Sequence, residues 1–151
     1  MLREVTVFSD SFEDGSLGPE WTQDAQNDWF ILTQRAIDGR YSAEVDGVAS
    51  DAKLISTSIN LQGRTSVTIA FSWYIEKRLD AREYLTFDIS TDGGITWVEK
   101  ARLRGDVDRE DTWHNVSIDL TDIHQLKLQF RGKMSRTNED ANVDMVKVIA
   151  R

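Results

Sequence analysis

Apolar and polar residues alternate along most of this chain, and this alternation restricts the fold more than any other feature. The clearest run spans residues 66–76, where every second residue is large and apolar. Its apolar members are Val67, Ile69, Phe71, Trp73 and Ile75. Successive side chains of a β-strand point to opposite faces, so the run predicts a strand with one buried face. Residues 84–90, 115–120 and 126–131 repeat the pattern.

Shorter apolar runs bring the total to about ten strand candidates, separated by turns rich in Gly, Asp, Asn and Ser. These shorter runs are 5–8, 29–32, 41–45, 52–56, 97–103 and 143–149. No window shows helical periodicity. Strands with one apolar face pack as antiparallel sheets, face to face. The sequence therefore predicts an all-β fold, a β-sandwich of two antiparallel sheets, in a single domain over residues 1–151.

The composition of the chain argues against several classes of partner and of chemistry. The chain has 151 residues, with 26 acidic and 18 basic side chains and a formal charge of −8. A polyanion would meet charge of its own sign, so we expect no nucleic-acid binding. The absence of cysteine excludes disulfides, thiol catalysis and cysteine-ligated zinc. No run approaches the roughly 18 apolar residues of a membrane span, so no membrane insertion is expected.

The ends of the sequence give an expectation about its context. The first residues, MLREVTVF, lack the apolar segment and cleavage site of a signal peptide. The chain starts and stops on strand-like runs, which favours a module of a larger protein. Many secreted bacterial proteins also lack cysteine, so we expect a bacterial, extracellular parent whose targeting signal lies elsewhere.

The segment 90–97, Ser-Thr-Asp-Gly-Gly-Ile-Thr-Trp, predicts a tight hairpin. Gly93 and Gly94 can take positive φ without steric cost, and Asp92 can accept hydrogen bonds from turn amides. The spacing S-x-D-x-G-x-T-W resembles the Asp-box of sialidases and other secreted β-proteins. In those proteins the Asp-box is a folding element and implies no sialidase activity.

Short motifs along nearly the whole chain resemble MAM domains. In chain order they are Phe12-Glu13-Asp14-Gly15, Trp21-Thr22-Gln23-Asp24, Gly39-Arg40-Tyr41-Ser42-Ala43, Leu54-Ile55-Ser56, Phe71-Ser72-Trp73-Tyr74 and Val143-Asp144-Met145-Val146. Cleaved-adhesin domains of bacterial proteases and the jelly-roll carbohydrate-binding modules of bacterial glycanases have a similar skeleton. The resemblance implies a jelly-roll β-sandwich whose first and last strands lie side by side.

The same resemblance implies a structural calcium ion where the first and last strands meet. The matched positions are Glu13, Asp38 and Asp144, with Asp14 and Asp46 as further candidates. Calcium takes roughly six to eight oxygen ligands, which carboxylates and loop carbonyls can supply. By regular alternation Asp144 shares a strand face with the apolar residues Val146 and Val148, and a buried carboxylate needs a cation or hydrogen-bond donors. The alternative is that these acids only cap turns.

A second acidic stretch, residues 105–111, leaves two interpretations open. Its D-x-D-x-E spacing could surround a second ion, but the Gly and terminal Glu of an EF-hand are missing, which favours a solvated loop. Catalysis has little support, because His114 and His124 belong to no recognisable pair of nucleophile and base. We therefore expect no enzyme activity.

The polar sides of the longer strands form a candidate glycan-binding face. The residues expected there are Tyr74, Tyr84, Arg102, Arg104 and Gln129. Jelly-roll carbohydrate-binding modules, which the chain resembles, use such a face to stack aromatic rings on sugars. The alternative is a solvated face with cross-strand charge pairs.

The leading hypothesis is a non-catalytic extracellular module for adhesion or spacing, in which calcium holds the ends together under load. The alternative is a carbohydrate-binding module that tethers a secreted enzyme to polysaccharide. A third is an accessory domain that helps a neighbouring hydrolase or protease to fold. The expected partners are a glycan or protein ligand and other domains of the same parent chain.

Overall fold

The computed structural model describes residues 3–151, so Met1 and Leu2 of the expected domain lie outside the described residues. Within that range it contains eleven strands and no helix. The strands are β1 (Val5–Asp10), β2 (Trp21–Gln23), β3 (Trp29–Leu32), β4 (Ser42–Asp46), β5 (Ala49–Ser56), β6 (Val67–Ile75), β7 (Tyr84–Ser90), β8 (Val98–Arg104), β9 (Trp113–Leu120), β10 (Lys127–Met134) and β11 (Asp140–Ala150). The predicted all-β class is confirmed.

The strands form two antiparallel sheets. The first has the order β3-β4-β11-β6-β9, and β1 also pairs with β11 in it; we call it the terminal-strand sheet. The second has the order β2-β5-β10-β7-β8, and we call it the inner-strand sheet. Val5 lies opposite Ala150 in the pairing of β1 with β11. The first and last strands therefore lie side by side, as the resemblance implies.

The apolar sides of both sheets meet in one core rich in aromatic side chains. The ring of Phe71 on β6 lies 4.7 Å from that of Phe87 on β7 and 5.0 Å from that of Phe130 on β10, centroid to centroid. Trp29 and Trp73 are also almost completely buried. Large aromatic rings contribute much of the apolar area buried on folding, so these contacts hold the two sheets together.

A β-bulge in β11 changes which face Asp144 occupies. Met145 has a φ of 53°, and the pairing of β11 with β6 shifts between Asp144 and Lys147. The extra residue lets Val143 and Val146 both face the core, while Asp144 lies opposite Ser72 on the outer side. The expectation that Asp144 shares a face with Val146 is therefore wrong. Asp144 is nevertheless fully buried.

The segment 33–41, between β3 and β4, explains that burial. It lies across the outer face of the terminal-strand sheet, and Arg35 within it contacts Asp140 and Asn142 of β11. Beneath it Glu44 and Asn142 are fully buried, although both are on the outer side of their strands. No helix among residues 3–151 is long and apolar enough to cross a membrane.

Candidate functional site

Asp144 is a buried carboxylate surrounded by backbone amides. Its Oδ2 accepts hydrogen bonds from the amides of Ile37 (3.0 Å) and Asp38 (3.4 Å), and its Oδ1 accepts one from Met145 (2.7 Å). Burial raises the pKa of Asp144 to about 6, and the negative charge of Glu13 adds to the rise. The bulge therefore places a carboxylate where an added positive charge would be favourable.

Glu13 reaches the same segment from the loop after β1. Its two carboxylate oxygens accept hydrogen bonds from the amides of Arg40 (2.7 Å) and Tyr41 (3.0 Å). A Cβ at Gly39 would lie 2.1 Å from Glu13 Oε1, and Gly39 has a φ of +68°. Only glycine fits there, so the Gly-x-Tyr turn closes tightly around the Glu13 carboxylate.

The structure brings three of the five predicted calcium ligands to this junction. Glu13, Asp38 and Asp144 all adjoin the segment 37–41. Asp38 also lines a surface hollow of about 190 Å³ between the end of β1 and the bulge of β11. We call this set of three residues the strand-junction site.

The other two predicted ligands make different contacts. Asp14 caps its own turn, where its Oδ1 accepts a hydrogen bond from the Ser16 amide at 3.1 Å. Asp46 is at the end of β4, opposite Asp140. The contact of Asp14 is therefore that of a turn cap, the alternative to calcium ligation given in the sequence analysis.

Asp46 belongs to a second acidic group, which the sequence analysis missed. Among residues 3–151, Glu44, Asp46 and Asp140 each place one carboxylate oxygen within 4.8 Å of those of the other two, close enough to hold a metal ion. Arg35 already forms an ion pair with Asp140. Asn142 Nδ2 donates to Glu44 Oε1 at 3.0 Å, and burial raises the pKa of Glu44 to about 7. The sequence does not indicate this trio, because local alternation does not show that β4 pairs with β11.

The outer face of the inner-strand sheet is open and polar. Residues directly opposite one another on β10, β7 and β8 form rows across it. These rows are Lys133–Tyr84–Arg104, Arg131–Thr86–Arg102 and Gln129–Asp88–Glu99. Four of the five residues expected on the candidate glycan face, Tyr84, Arg102, Arg104 and Gln129, lie here.

Tyr74, the fifth expected residue, does not share this face. It lies on β6 in the terminal-strand sheet, where its ring packs against Trp113 (centroids 5.5 Å apart) and under the Arg35 guanidinium (4.5 Å). Alternation shows which side chains point away from the core, but it does not show to which sheet each strand belongs. The grouping of Tyr74 with Tyr84 is therefore wrong.

Arg131 is the centre of a network on this open face. Its Nε and Nη2 donate to the two carboxylate oxygens of Asp88, at 2.6 and 3.1 Å. Its Nη1 donates to Asp51 (2.9 Å), and Nη2 also donates to Glu99 (3.1 Å). Hydrogen bonding to Asp88 raises the pKa of Arg131 further. Three carboxylates thus hold one guanidinium in place.

Tyr84 is held by the same network. Its hydroxyl donates to Asp51 at 2.6 Å, and the Arg102 guanidinium lies 4.2 Å from the ring centroid. Arg102 in turn donates to both oxygens of Glu99, at 2.8 and 3.1 Å. Burial, with the hydrogen bond to Asp51, raises the pKa of Tyr84 to about 12. The ring is therefore neutral and fixed in orientation before any ligand arrives.

Trp97 adds a second aromatic ring beside this network. It lines a pocket of about 300 Å³ together with Lys53, Gln129 and the acidic partners of Arg131. Gln129 Nε2 donates to Asp88 at 2.8 Å, whereas its Oε1 is buried without a partner among the described residues. The sequence analysis assigned Trp97 only to the hairpin and so missed its place on this face.

The hairpin that carries Trp97 has the hydrogen bonds expected of an Asx turn. Asp92 Oδ1 accepts from the amides of Ile95 (3.1 Å) and Thr96 (2.9 Å), and the Thr96 hydroxyl donates to Oδ2. The bonds from Thr96 lower the pKa of Asp92 to about 2.

Two acids of the 105–111 stretch accept hydrogen bonds from backbone amides. Asp108 accepts from the Arg104 amide (2.7 Å), and Asp111 accepts from the Lys77 amide (3.1 Å). His114 Nε2 lies 2.7 Å from the carbonyl oxygen of Arg109, within the same loop. These contacts fix the loop, and its interpretation as a solvated loop stays a prediction.

No family model and no curated protein sequence matches the chain. Solved structures do resemble it. The K3 cleaved adhesin domain of Lys-gingipain from Porphyromonas gingivalis aligns over 99% of this chain and 100% of its own, with a TM-score of 0.72 and 17% identity. The chain is a jelly-roll β-sandwich.

Two carbohydrate-binding modules have a similar jelly-roll structure. The CBM22-1 xylan-binding domain of Paenibacillus barcinonensis Xyn10C aligns over 95% of this chain and 93% of its own, with a TM-score of 0.68 and 14% identity. TmCBM61, solved with β-1,4-galactotriose, aligns over 93% and 94%, with a TM-score of 0.70 and 14% identity. At such identities the likeness concerns the fold.

Proposed function

We propose that residues 1–151 form a non-catalytic interaction domain of a larger extracellular bacterial protein. Its binding surface is the outer face of the inner-strand sheet. The observation that supports this choice is the Arg131 network, which holds Tyr84 and its neighbours in one arrangement beside the Trp97 pocket. Side chains that are already ordered lose little conformational entropy on binding, so a surface of this kind is suited to recognition.

A glycan is the ligand class that this surface fits best. The rings of Tyr84 and Trp97 offer apolar faces for sugar rings, and the carboxylates around Arg131 offer acceptors for sugar hydroxyls. Xylan and galactotriose are ligands of two structurally similar modules, which makes polysaccharides the first class to examine.

Affinity electrophoresis against a panel of polysaccharides tests this proposal. We expect retardation by at least one polysaccharide, and substantial loss of retardation in Tyr84→Ala. Tyr74→Ala is the matched control, because it removes the same side chain from the opposite sheet and should bind as the unaltered chain does. Equal loss in both variants would contradict the assignment of this face. No retardation by any glycan would point to a protein ligand instead, as in adhesion.

We also propose a structural calcium ion at the strand-junction site. Two carboxylates support the proposal: Asp144 is buried with a raised pKa, and Glu13 places a second carboxylate on the same turn, and calcium prefers such oxygen ligands. Each of these carboxylates is hydrogen-bonded to backbone amides but keeps lone pairs free for a metal. Glu13, Asp38 and Asp144 would hold the ion, whose charge would offset the buried carboxylate and join β1 to β11.

Thermal unfolding with millimolar calcium and with a chelator tests the ion. At a calcium concentration about 100 times Kd, binding adds about 2.7 kcal/mol to the free energy of unfolding. Asp144→Asn should abolish the calcium-dependent rise in Tm, whereas Glu44→Gln, in the other acidic group, should retain it. The opposite pattern would move the ion to the trio of Glu44, Asp46 and Asp140. No rise in the unaltered chain would contradict calcium binding.

A further inference from the structure

The proposed binding surface is basic, although the chain is acidic. The strands of the inner-strand sheet direct six cationic and three anionic side chains to its outer face. The cationic ones are Lys53, Arg102, Arg104, Lys127, Arg131 and Lys133, and the anionic ones are Asp51, Asp88 and Glu99. The formal charge of the whole chain is −8. The positive excess on this face is therefore a local feature that the summed charge conceals.

Four of these cations are available to a ligand. Lys53, Lys127 and Lys133 form no ion pair with any residue in the range 3–151, and the side chain of Arg104 has one long contact, from Nε to Asp108 at 3.4 Å. Arg131 is different, because Asp51, Asp88 and Glu99 occupy its guanidinium. The free positive charge thus lies around the network and not at its centre.

The free cations flank the fixed aromatic ring. Lys133 and Arg104 lie directly opposite Tyr84 on the two neighbouring strands, and Lys53 lies opposite Arg131. Adjacent strands are about 4.8 Å apart, so Lys133 and Arg104 start from backbone positions roughly 10 Å apart with Tyr84 between them. A ligand stacked on Tyr84 would have a cation on either side.

We propose that this face binds an acidic polysaccharide, a chain of sugars that bear carboxylate groups. This inference rests on the proposed function, because it concerns the same face. Lysine and arginine donate strong charge-assisted hydrogen bonds to carboxylates. The acceptors Asp51 and Glu99 complement sugar hydroxyls. A uronate chain carries both kinds of group.

Charge also separates this ligand class from nucleic acid. The three carboxylates among the cations would repel an unbroken line of phosphates, whereas hydroxyls between spaced carboxylates would pair with them. Repulsion from the rest of the acidic chain is weakened beyond about one Debye length, about 8 Å at physiological salt. Contacts made on the face itself therefore decide the affinity for a spaced, mixed ligand.

The test compares binding of the chain to polygalacturonate and to neutral xylan. We expect polygalacturonate to bind about tenfold more tightly, and its affinity to fall as salt rises from about 50 to about 200 mM. A single-stranded oligonucleotide is the third probe. If the oligonucleotide binds more tightly than polygalacturonate, the inference is overturned.

A charge reversal on the face provides the matched comparison. Lys133→Glu should weaken polygalacturonate binding about tenfold, whereas Lys77→Glu, the same charge change at the end of β6, should leave it unchanged. Circular dichroism and Tm confirm that both variants are folded. If both variants weaken binding equally, the net charge of the chain is responsible and the assignment to this face fails.

The remaining outcomes separate this inference from the proposed function. If xylan binds as tightly as polygalacturonate, and Tyr84→Ala still weakens it, the acidic ligand is wrong and the binding face is retained. If neither polysaccharide binds, the acidic ligand is wrong, and the panel of polysaccharides described above decides whether the glycan-binding function is retained.

Discussion

The outer faces of the two sheets differ in how deeply their charged residues are buried. On the terminal-strand sheet, the segment 33–41 lies over the strands, and Glu44 and Asp144 are fully buried. On the inner-strand sheet no comparable segment among residues 3–151 covers Tyr84 and Arg102, and the charges form a half-exposed network. The charged residues of both faces occupy polar positions of alternating strands. Whether a loop crosses the sheet decides which of these residues are buried and which remain accessible.

Burial changes the chemistry of the acids on the two faces. Desolvation raises the pKa of Glu44 to about 7 and that of Asp144 to about 6. On the open face, hydrogen bonds from Arg102 lower the pKa of Glu99. Burial under the loop therefore favours the neutral forms of Glu44 and Asp144, whereas the hydrogen bonds of the network favour the charged form of Glu99.

The largest expected difference between the faces comes from removing one carboxylate on each. Asp144→Ala leaves three backbone amides without their acceptor, two of them in the covering segment. With a chelator present, it should lower the free energy of unfolding by about 3 kcal/mol. Asp51→Ala, on the open face, should cost about 1 kcal/mol, because water can replace the lost partner. Urea unfolding measures both, and equal losses would remove the distinction.

Arg131→Met tests how strongly the buried carboxylate of Asp88, on the outer face of the inner-strand sheet, depends on its arginine partner. The substitution leaves Asp88, which is almost fully buried, without its bidentate partner. We expect a loss of about 2 kcal/mol, smaller than for a fully buried pair because Arg131 is partly exposed. Arg104→Met, which removes an exposed contact, should change stability by less than about 0.5 kcal/mol. A small loss of stability in Arg131→Met would mean that water replaces Arg131 as the hydrogen-bond partner of Asp88.

The buried acids Glu44 and Asp144, on the outer face of the terminal-strand sheet, should also make the free energy of unfolding depend on pH. A carboxyl group whose pKa is raised by folding stabilises the protein fully below its unfolded pKa, and this stabilisation is lost as pH rises through the folded value. With Glu44 near 7 and Asp144 near 6, the Tm in a chelator should fall by several degrees between pH 5 and pH 8. Glu44→Gln should reduce this fall. A Tm that rises over the same interval would show that these groups are ionised at little cost.

The smallest expected effects come from removing the hydroxyl groups of Tyr84 and Tyr74. Tyr84→Phe removes a hydrogen bond of 2.6 Å to Asp51 and should cost about 1 kcal/mol. Tyr74→Phe removes an exposed contact of 3.3 Å to Asp111 and should cost less than about 0.5 kcal/mol. If the order is reversed, the hydroxyl of Tyr84 is not part of the network that orders the binding surface.

The strands could be predicted from the sequence because their alternation is local. The run at 66–76 corresponds to β6, and the run at 29–32 matches β3 to the residue. In contrast, β2 has only three residues, Trp21–Gln23, which is too short for a period to be visible. The bulge at Met145 could not be predicted from the alternation either, because one inserted residue reverses the face of every residue that follows it in the strand.

The candidate sites were harder to predict, because they depend on which segments meet. The resemblance to MAM domains led to Glu13, Asp38 and Asp144, which adjoin one turn in the structure. Nothing local indicated that the segment 33–41 crosses a sheet, so the burial of Glu44 was missed. Likewise the sign of the charge on the open face follows only from strand pairing, which the summed charge of the chain does not contain.

The pairing of β1 with β11 also has a mechanical consequence. Val5 lies opposite Ala150, so polypeptide joined before one and after the other would leave from the same end of the sandwich. A force on those two connections would open the pair from that end, hydrogen bond after hydrogen bond, because the load never falls on the whole ladder at once. If the proposed parent chain exists, such a domain would add little length to it under tension. The domain would lie to one side of that chain, and the proposed binding face on the inner-strand sheet would remain accessible.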